Sequence, residues 1–306
     1  MLPLIVVWSI GSGSSFVFIR GAHHGLGPLV AICLALWIGA GVLRLAWRAT
    51  GAPRVSLGPR LRRRQWLVAV LTTSLTYTLI SWGEQHVSAT TTLIVLATIP
   101  IIGAGIARMR PPHERLSRPA LAGLAIGLAG VVVVAGEPGR SELLGLLAII
   151  LASGVFGACL VLAKAFAHDA VDQPDIALSA RHITMAAVAL TPPALLEALL
   201  SRQHPSVENL AYVAGLGVIG YGFVYVMFYL LLRRTTVAHA SMSAYLQPIS
   251  GTVLAWLVLG EDIVVRQVAG AVVILCGVAI VDAARRRDLR LSPLPGAELS
   301  PAAPPR

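Results

Sequence analysis

Charge is scarce in this chain. Only 12% of its 306 residues are Asp, Glu, Lys or Arg, about half the share of a water-soluble domain, which is too little to cover a soluble surface. Cysteine is scarcer still. Cys33, Cys159 and Cys276 lie far apart, each inside an apolar run, with no CxxC pair and no metal-ligand spacing. A disulfide framework, a redox dithiol and a cysteine metal centre are excluded, and the three thiols read as small buried hydrophobes. Acidic residues number fourteen, and none falls in the middle of an apolar run. Glu84 and Glu197 come closest, near run ends.

What fills the chain is apolar: 56% of residues are hydrophobic and the mean hydropathy is +0.78. A run of about 20 residues crosses the hydrocarbon core. Such runs, bounded by Arg, Pro, Gly or acidic residues, occur at roughly 2–20, 28–47, 65–85, 88–107, 119–136, 142–164, 176–199, 209–232, 237–259 and 264–283. Short connections make neighbouring runs antiparallel. The expected fold is an all-α integral membrane protein of ten transmembrane helices. The opening stretch MLPLIVVWSIGSGSSFVFIR lacks the basic n-region of a secretory signal and reads as the first span. Residues 285–306, ending LSPLPGAELSPAAPPR, are expected to form a disordered tail.

The net charge of +10 does not indicate a nucleic-acid partner, because the charge sits in the gaps between apolar runs rather than on a folded patch. Its distribution sets orientation instead. Eighteen of the 24 basic residues fall in the loops after even-numbered spans and in the C-terminal tail, and four in the opposite loops. The positive-inside rule then places both termini in the cytoplasm, across a cell (inner) membrane.

The chain also repeats itself. ERLSRPALAG (114–123) and EDIVVRQVAG (261–270) each open with Glu and place Ala-Gly at the same distance. Pro100 pairs with Pro248, Tyr77 with Tyr225, Glu114 with Glu261, Gly123 with Gly270, and Gly130 with Gly277, in one order along the chain. Residues 1–136 and 142–284 are therefore two copies of one unit, and 285–306 the tail. Each copy holds five spans, an odd number, so the second enters the membrane upside down. Inverted repeats of this kind are a recurring secondary-transporter architecture. The glycines seven apart let backbones approach closely. Pro100 and Pro248 sit within spans, where each removes a hydrogen bond. They are candidate hinges, with a merely structural kink as the other reading.

Two stretches carry a family resemblance: VSATTTLIVLATIP…HERLSRPALAGLAIGLAGVVVVA and TVAHASMSAYLQPISGTVLAWLVLGEDIVVRQVAGAVVILCGVAIV. They resemble the two halves of EamA-type carriers of the drug/metabolite transporter superfamily, over essentially residues 1–284. The resemblance implies ten helices, two EamA repeats, cytoplasmic termini and export of small metabolites. Two positions depart from the family pattern: Trp8 is followed by Ser9 rather than Gly, and Ala35 replaces an Arg early in the second span, while the other half carries Arg181.

Polar groups in a bilayer are costly and face a protein interior or a wet cavity. The third, fourth and ninth spans carry most of them. Ser and Thr can satisfy themselves on the preceding turn. Gln247 cannot do so as easily, and it directly precedes Pro248. Tyr221, Tyr225 and Tyr229 are spaced by four and stack along about 12 Å of one face, too long for an interfacial belt throughout. Tyr225 and its counterpart Tyr77 are candidates for a cavity wall. Tyr77, Thr98, Tyr225, Gln247 and Arg181 form the candidate substrate-binding set. Arg181 either snorkels to the interface or meets a substrate carboxylate. His182 and His239 are candidate proton carriers, with a hydrogen-bonded structural role as the alternative. The lack of a mid-run carboxylate disfavours lipophilic cations and favours neutral or zwitterionic solutes, amino acids among them. Glu114 and Glu261 stand at loop–helix junctions, where they would stabilise helix N-termini.

GSGSS in the first span is no phosphate loop, since no Gly-Lys-Ser/Thr follows. An intramembrane enzyme would need a nucleophile with its base or a metal cluster. His23-His24 and PPHER are the only hints. A channel is the other rival. The reading the residues favour is a secondary transporter that exports a small neutral or zwitterionic metabolite by alternating access. No cofactor or metal is expected. Its partners are a small-molecule substrate and the lipid bilayer, with a homodimer left open.

Overall fold

The computed structural model describes residues 2–23, 25–51, 57–99, 118–136, 139–170, 172–234 and 237–291. Ten helices and no strands occur among them: α1 (Leu2–Ala22), α2 (Pro28–Ala49), α3 (Pro59–Ala69, continuing through Val70–Leu75 and Thr76–Gly83), α4 (Ala89–Leu96), α5 (Arg118–Ala135), α6 (Arg140–Asp169), α7 (Asp175–Leu200), α8 (Val207–Gly215, continuing through Leu216–Phe223 and Val224–Arg234), α9 (Val237–Leu259) and α10 (Val265–Leu291). Seven of them are long and apolar enough to cross a membrane. The surface is the reverse of a soluble protein's. Leu45, Val132, Leu147, Leu195 and Leu257 lie outside, whereas Thr72, Thr73, Thr76, Thr90, Thr92 and Ser179 are buried. With lipid as solvent, apolar side chains lose nothing by facing outward, and hydroxyls gain partners by facing inward.

Local chemistry sets several helix ends. Pro28 and Pro59 occupy the first turns of α2 and α3, following Gly27 and Gly58, where a missing N–H costs nothing. Ser88 caps α4 by accepting from the Thr91 nitrogen. Regular α4 hydrogen bonding stops at Leu96, four residues before Pro100. A proline there cannot donate to the Leu96 carbonyl. The expected fourth span ran on to 107, but Pro100 and residues 101–117, Glu114 included, lie outside the described residues. At the other end of the chain, α10 continues beyond 284 as far as Leu291.

The two halves interlock through exchanged partners. α1 packs on α9 while α6 packs on α4, and α8 packs on α1 while α3 packs on α6. The repeat-equivalent pairs α2 with α7 and α5 with α10 also touch directly. Glycine makes the last contact close. A Cβ added to Gly123 would lie 2.8 Å from the Gly277 carbonyl oxygen, and one added to Gly277 would lie 2.6 Å from that of Gly123. Gly130 and Gly270 meet in the same reciprocal way, at 3.0 and 2.9 Å. No side chain fits between such backbones.

Candidate functional site

The hydroxyl-rich interior is built where α3, α7 and α8 meet. Both α3 and α8 contain a π-helical stretch, Val70–Leu75 and Leu216–Phe223. At the 148-residue offset that pairs Tyr77 with Tyr225, the first stretch falls inside the second. Such wide turns loosen the i→i+4 ladder and recur at functional sites. On α3 the Thr76 hydroxyl donates to the Leu71 carbonyl at 2.8 Å, covering one of the loosened acceptors. Residue spacing in the sequence gave no sign of either stretch.

Within and just past these stretches, side chains from three helices form one chain of contacts. The Tyr229 hydroxyl bonds His182 Nδ1 at 2.8 Å, His182 Nε2 bonds the Thr73 hydroxyl at 2.7 Å, and Thr73 bonds the Tyr225 hydroxyl at 2.6 Å. The rings of Tyr225 and Tyr221 stand 6.2 Å apart, and Tyr221 meets Tyr77 edge to face at 5.2 Å. Ser179 on α7 donates to the Tyr225 carbonyl at 3.0 Å, and Ser74 on α3 donates to Ala186 O at 2.9 Å. Tyr77 and Tyr225 are thus brought together with His182, and with three residues not singled out as candidates: Thr73, Tyr221 and Tyr229. Both hydrogen-bond partners of His182 are neutral hydroxyls, which suit an uncharged imidazole that donates through one nitrogen and accepts through the other.

The other candidates lie elsewhere. Gln247 on α9 donates to the Ser12 hydroxyl of α1 at 3.0 Å, one turn from Ser250, which donates to the Ser9 carbonyl at 3.0 Å. Pro248 is buried beside them. Arg181 donates to Gln173 Oε1 at 3.0 Å and lies 5.6 Å above the Trp47 ring, near the end of the bundle where α7 begins. Thr98 is buried just past α4, with its hydroxyl on the Val95 carbonyl at 2.7 Å. The His239 side chain lies outside the described residues.

A second polar cluster closes the end of the bundle at which α1 and α3 finish. Glu261, in the loop before α10, accepts from the Ala89 nitrogen at 2.9 Å, the Thr90 nitrogen at 3.0 Å and the Thr90 hydroxyl at 2.9 Å. It stabilises a helix N-terminus as its position suggested, but that of α4 in the other half. Gln267 serves α10 instead, accepting from the Val264 nitrogen at 3.0 Å while donating to Thr91 at 3.0 Å. Arg20 on α1 stands 4.0 Å from Glu261 and donates to the backbone carbonyl of Glu84.

Glu84 lies just beyond the span that ends at Gly83, yet it is fully buried. Neither of its carboxylate oxygens has a hydrogen-bond partner among the described residues. The nearby Thr92 hydroxyl donates to the Ser88 carbonyl, at 3.2 Å. Burial pushes the Glu84 carboxyl well above the usual carboxylate range, with some help from Glu261 and against the opposing pull of Arg20 and a smaller one from the Thr92 hydroxyl. Tyr221, within the tyrosine cluster, likewise has a buried hydroxyl with no partner among the described residues. Thr73 and Tyr77 on α3 and Glu84 just past its end are four and seven residues apart, the one signal by which sequence could have linked the two clusters.

Comparison with known proteins converges on one group. Residues 1–136 and 143–281 match the model of the EamA-like transporter family. The chain is 25% identical over 287 residues to a Bacillus subtilis protein named "Uncharacterized transporter YoaV", covering 91% of this chain and 94% of that one. It is 24% identical over 299 residues to a "Probable terminal-alkyne amino-acid exporter" of Streptantibioticus cattleyicolor, covering 93% of each. A solved structure described as "Crystal structure of protein" superposes with a TM-score of 0.64 at 18% identity, covering 91% of this chain and 96% of the other.

Proposed function

The chain belongs to the EamA-like transporter family, and from that premise we propose that it is a secondary carrier exporting a small neutral or zwitterionic metabolite, such as an amino acid, by alternating access. The observation that carries this reading is the buried Tyr77–Tyr221–Tyr225 cluster, with Thr73 and His182, where α3 of one half meets α7 and α8 of the other. Aromatic faces and neutral hydroxyls suit an uncharged or zwitterionic solute, holding its body by contact and its polar ends by hydrogen bonds. The rings pack against one another here, so the two halves would part to admit a solute. The paired π-helical stretches beside the cluster are where such movement costs least. The relative named as an amino-acid exporter supports the substrate class. In this reading the termini face the cytoplasm of the inner membrane, and residues 1–136 and 142–284 act as the two moving units, with Pro248 as a hinge beside Gln247.

Solute counterflow in proteoliposomes tests it. Vesicles preloaded with mixed unlabelled amino acids and small metabolites should transiently accumulate one labelled compound, because exchange needs alternating access but no driving force. Tyr225→Ala should abolish the accumulation. Accumulation indifferent to Tyr225→Ala and Gln247→Ala would move the site away from both clusters. Silence across a broad panel, from folded protein, would overturn the carrier.

A further inference from the structure

We propose that Glu84 is a proton-binding site of this carrier: it holds a proton while the end closed by Glu261 stays closed, and gives it up when Arg20 is drawn away from Glu261. The coupling half of this inference rests on the carrier reading; the proton site itself does not.

An ionised carboxylate buried without hydrogen bonds costs many kcal/mol, so the group takes up a proton instead. Glu84 is fully buried and its oxygens are unpartnered among the described residues. The charged and titratable groups around it come from three other elements: Arg20 on α1, Tyr221 on α8, and Glu261 in the loop between α9 and α10. Thr92 on α4 adds a hydroxyl that donates to the Ser88 carbonyl and exerts the weakest of the pulls on the Glu84 carboxyl. Arg20 is the only cation in that set, and it is held elsewhere, by the Glu84 backbone carbonyl and beside the Glu261 carboxylate. Glu261 in turn holds the first turn of α4.

Two carboxylates therefore compete for one guanidinium. With Glu84 neutral, Arg20 stays by Glu261 and the end of the bundle stays tied. When Glu84 ionises, its proton passes to water as hydronium, and the new carboxylate draws Arg20 toward itself. That weakens the Arg20–Glu261 contact and with it the tie between the halves. Water stands one side chain away: a cavity of about 360 Å³ opens at this end, lined by Arg20, His86, Ser88, Glu142, Glu261 and Gln267 among others, and Arg20 is the residue that donates to the Glu84 backbone carbonyl. On the inner side, Glu84 is near enough to Tyr221 for their charges to interact, so the charge change occurs beside the proposed solute site.

The test is infrared titration of the reconstituted full-length protein. At pH 7 the wild type should show the carbonyl stretch of a neutral carboxylic acid, and the band should vanish on alkaline titration. Glu84→Gln should lack it, and Glu84→Asp should keep it with a displaced titration. No such band in the wild type, or an unchanged band in Glu84→Gln, overturns the proposal. Should Glu84→Gln fail to fold, the displacement in Glu84→Asp decides, and an undisplaced titration overturns the assignment. This readout needs no substrate, so a silent counterflow panel would defeat the carrier reading and leave the proton site standing. In vesicles active in counterflow, a one-unit pH gradient should drive up to about tenfold accumulation of the labelled solute at one proton per molecule. A wild type indifferent to the gradient overturns the coupling.

Discussion

Glu261 accepts the backbone hydrogens of Ala89 and Thr90, 172 and 171 residues earlier in the chain. A carboxylate from the second half thus completes the first turn of a helix in the first half. A helix N-terminus carries about half a positive charge and unpaired N–H groups, so an anion placed there joins two units without burying a full ion pair. In the proposed alternating-access cycle this contact would have to break and re-form.

That contact predicts a measurable coupling. Glu261→Gln and Thr90→Val should each destabilise the protein, and their double-mutant cycle should return about 1 kcal/mol, the range for a single hydrogen bond to a charged or polar group. Thermal unfolding in detergent measures it. Additive effects would show that the Thr90 hydroxyl does not sense Glu261.

Among the described residues, Thr73 is the only hydroxyl joining His182 to Tyr225. Thr73→Val keeps the shape and removes both bonds, so it should cost about 1 kcal/mol, in keeping with hydrogen bonds between membrane helices. It should also reduce counterflow at least as much as Tyr225→Phe. A variant with wild-type stability and flux would show the bonds to be incidental.

The α5–α10 contact tolerates no side chain. Gly277→Ala places a methyl against the Gly123 carbonyl and the Gly127 backbone, and overpacking of this kind costs about 1–3 kcal/mol. Gly139 has no atom within 4 Å of an added Cβ, so Gly139→Ala is the matched control. Melting of the two variants in detergent compares them.

Arg233 binds the connection between α6 and α7. Its guanidinium donates to the carbonyls of Ala167, Ala170 and Gln173 and pairs with Asp175 at 2.7 Å. Lysine cannot reproduce a planar fork with donors on both sides. Arg233→Lys should therefore lower stability by about 2–3 kcal/mol, measured in the same way. A loss no larger than that of an exposed loop arginine such as Arg202 would refute this role.

The orientation read from loop charge is tested by fusions. Alkaline phosphatase joined at the C-terminus should be inactive, and the same enzyme placed after Arg202 should be active. The opposite pattern would invert the topology.

The sequence by itself determined the number of spans, their apolar faces, the duplication, and the glycines through which α5 meets α10. Each of these depends on composition and spacing within a few turns of helix, and a bilayer enforces them strictly because every backbone polar group must find a partner inside its own span. It also flagged Tyr77, Tyr225 and His182, because polar groups in apolar runs stand out. Only the tertiary structure decided who meets whom. Gln247 turned to Ser12, Arg181 to Gln173 and Trp47, and Glu261 to a helix of the other half. Glu84 looked like an ordinary residue at the end of a span, and folding took away its water. The reason is physical: hydropathy acts locally on each segment, whereas desolvation and hydrogen-bond pairing depend on neighbours that lie a hundred residues or more away in the chain.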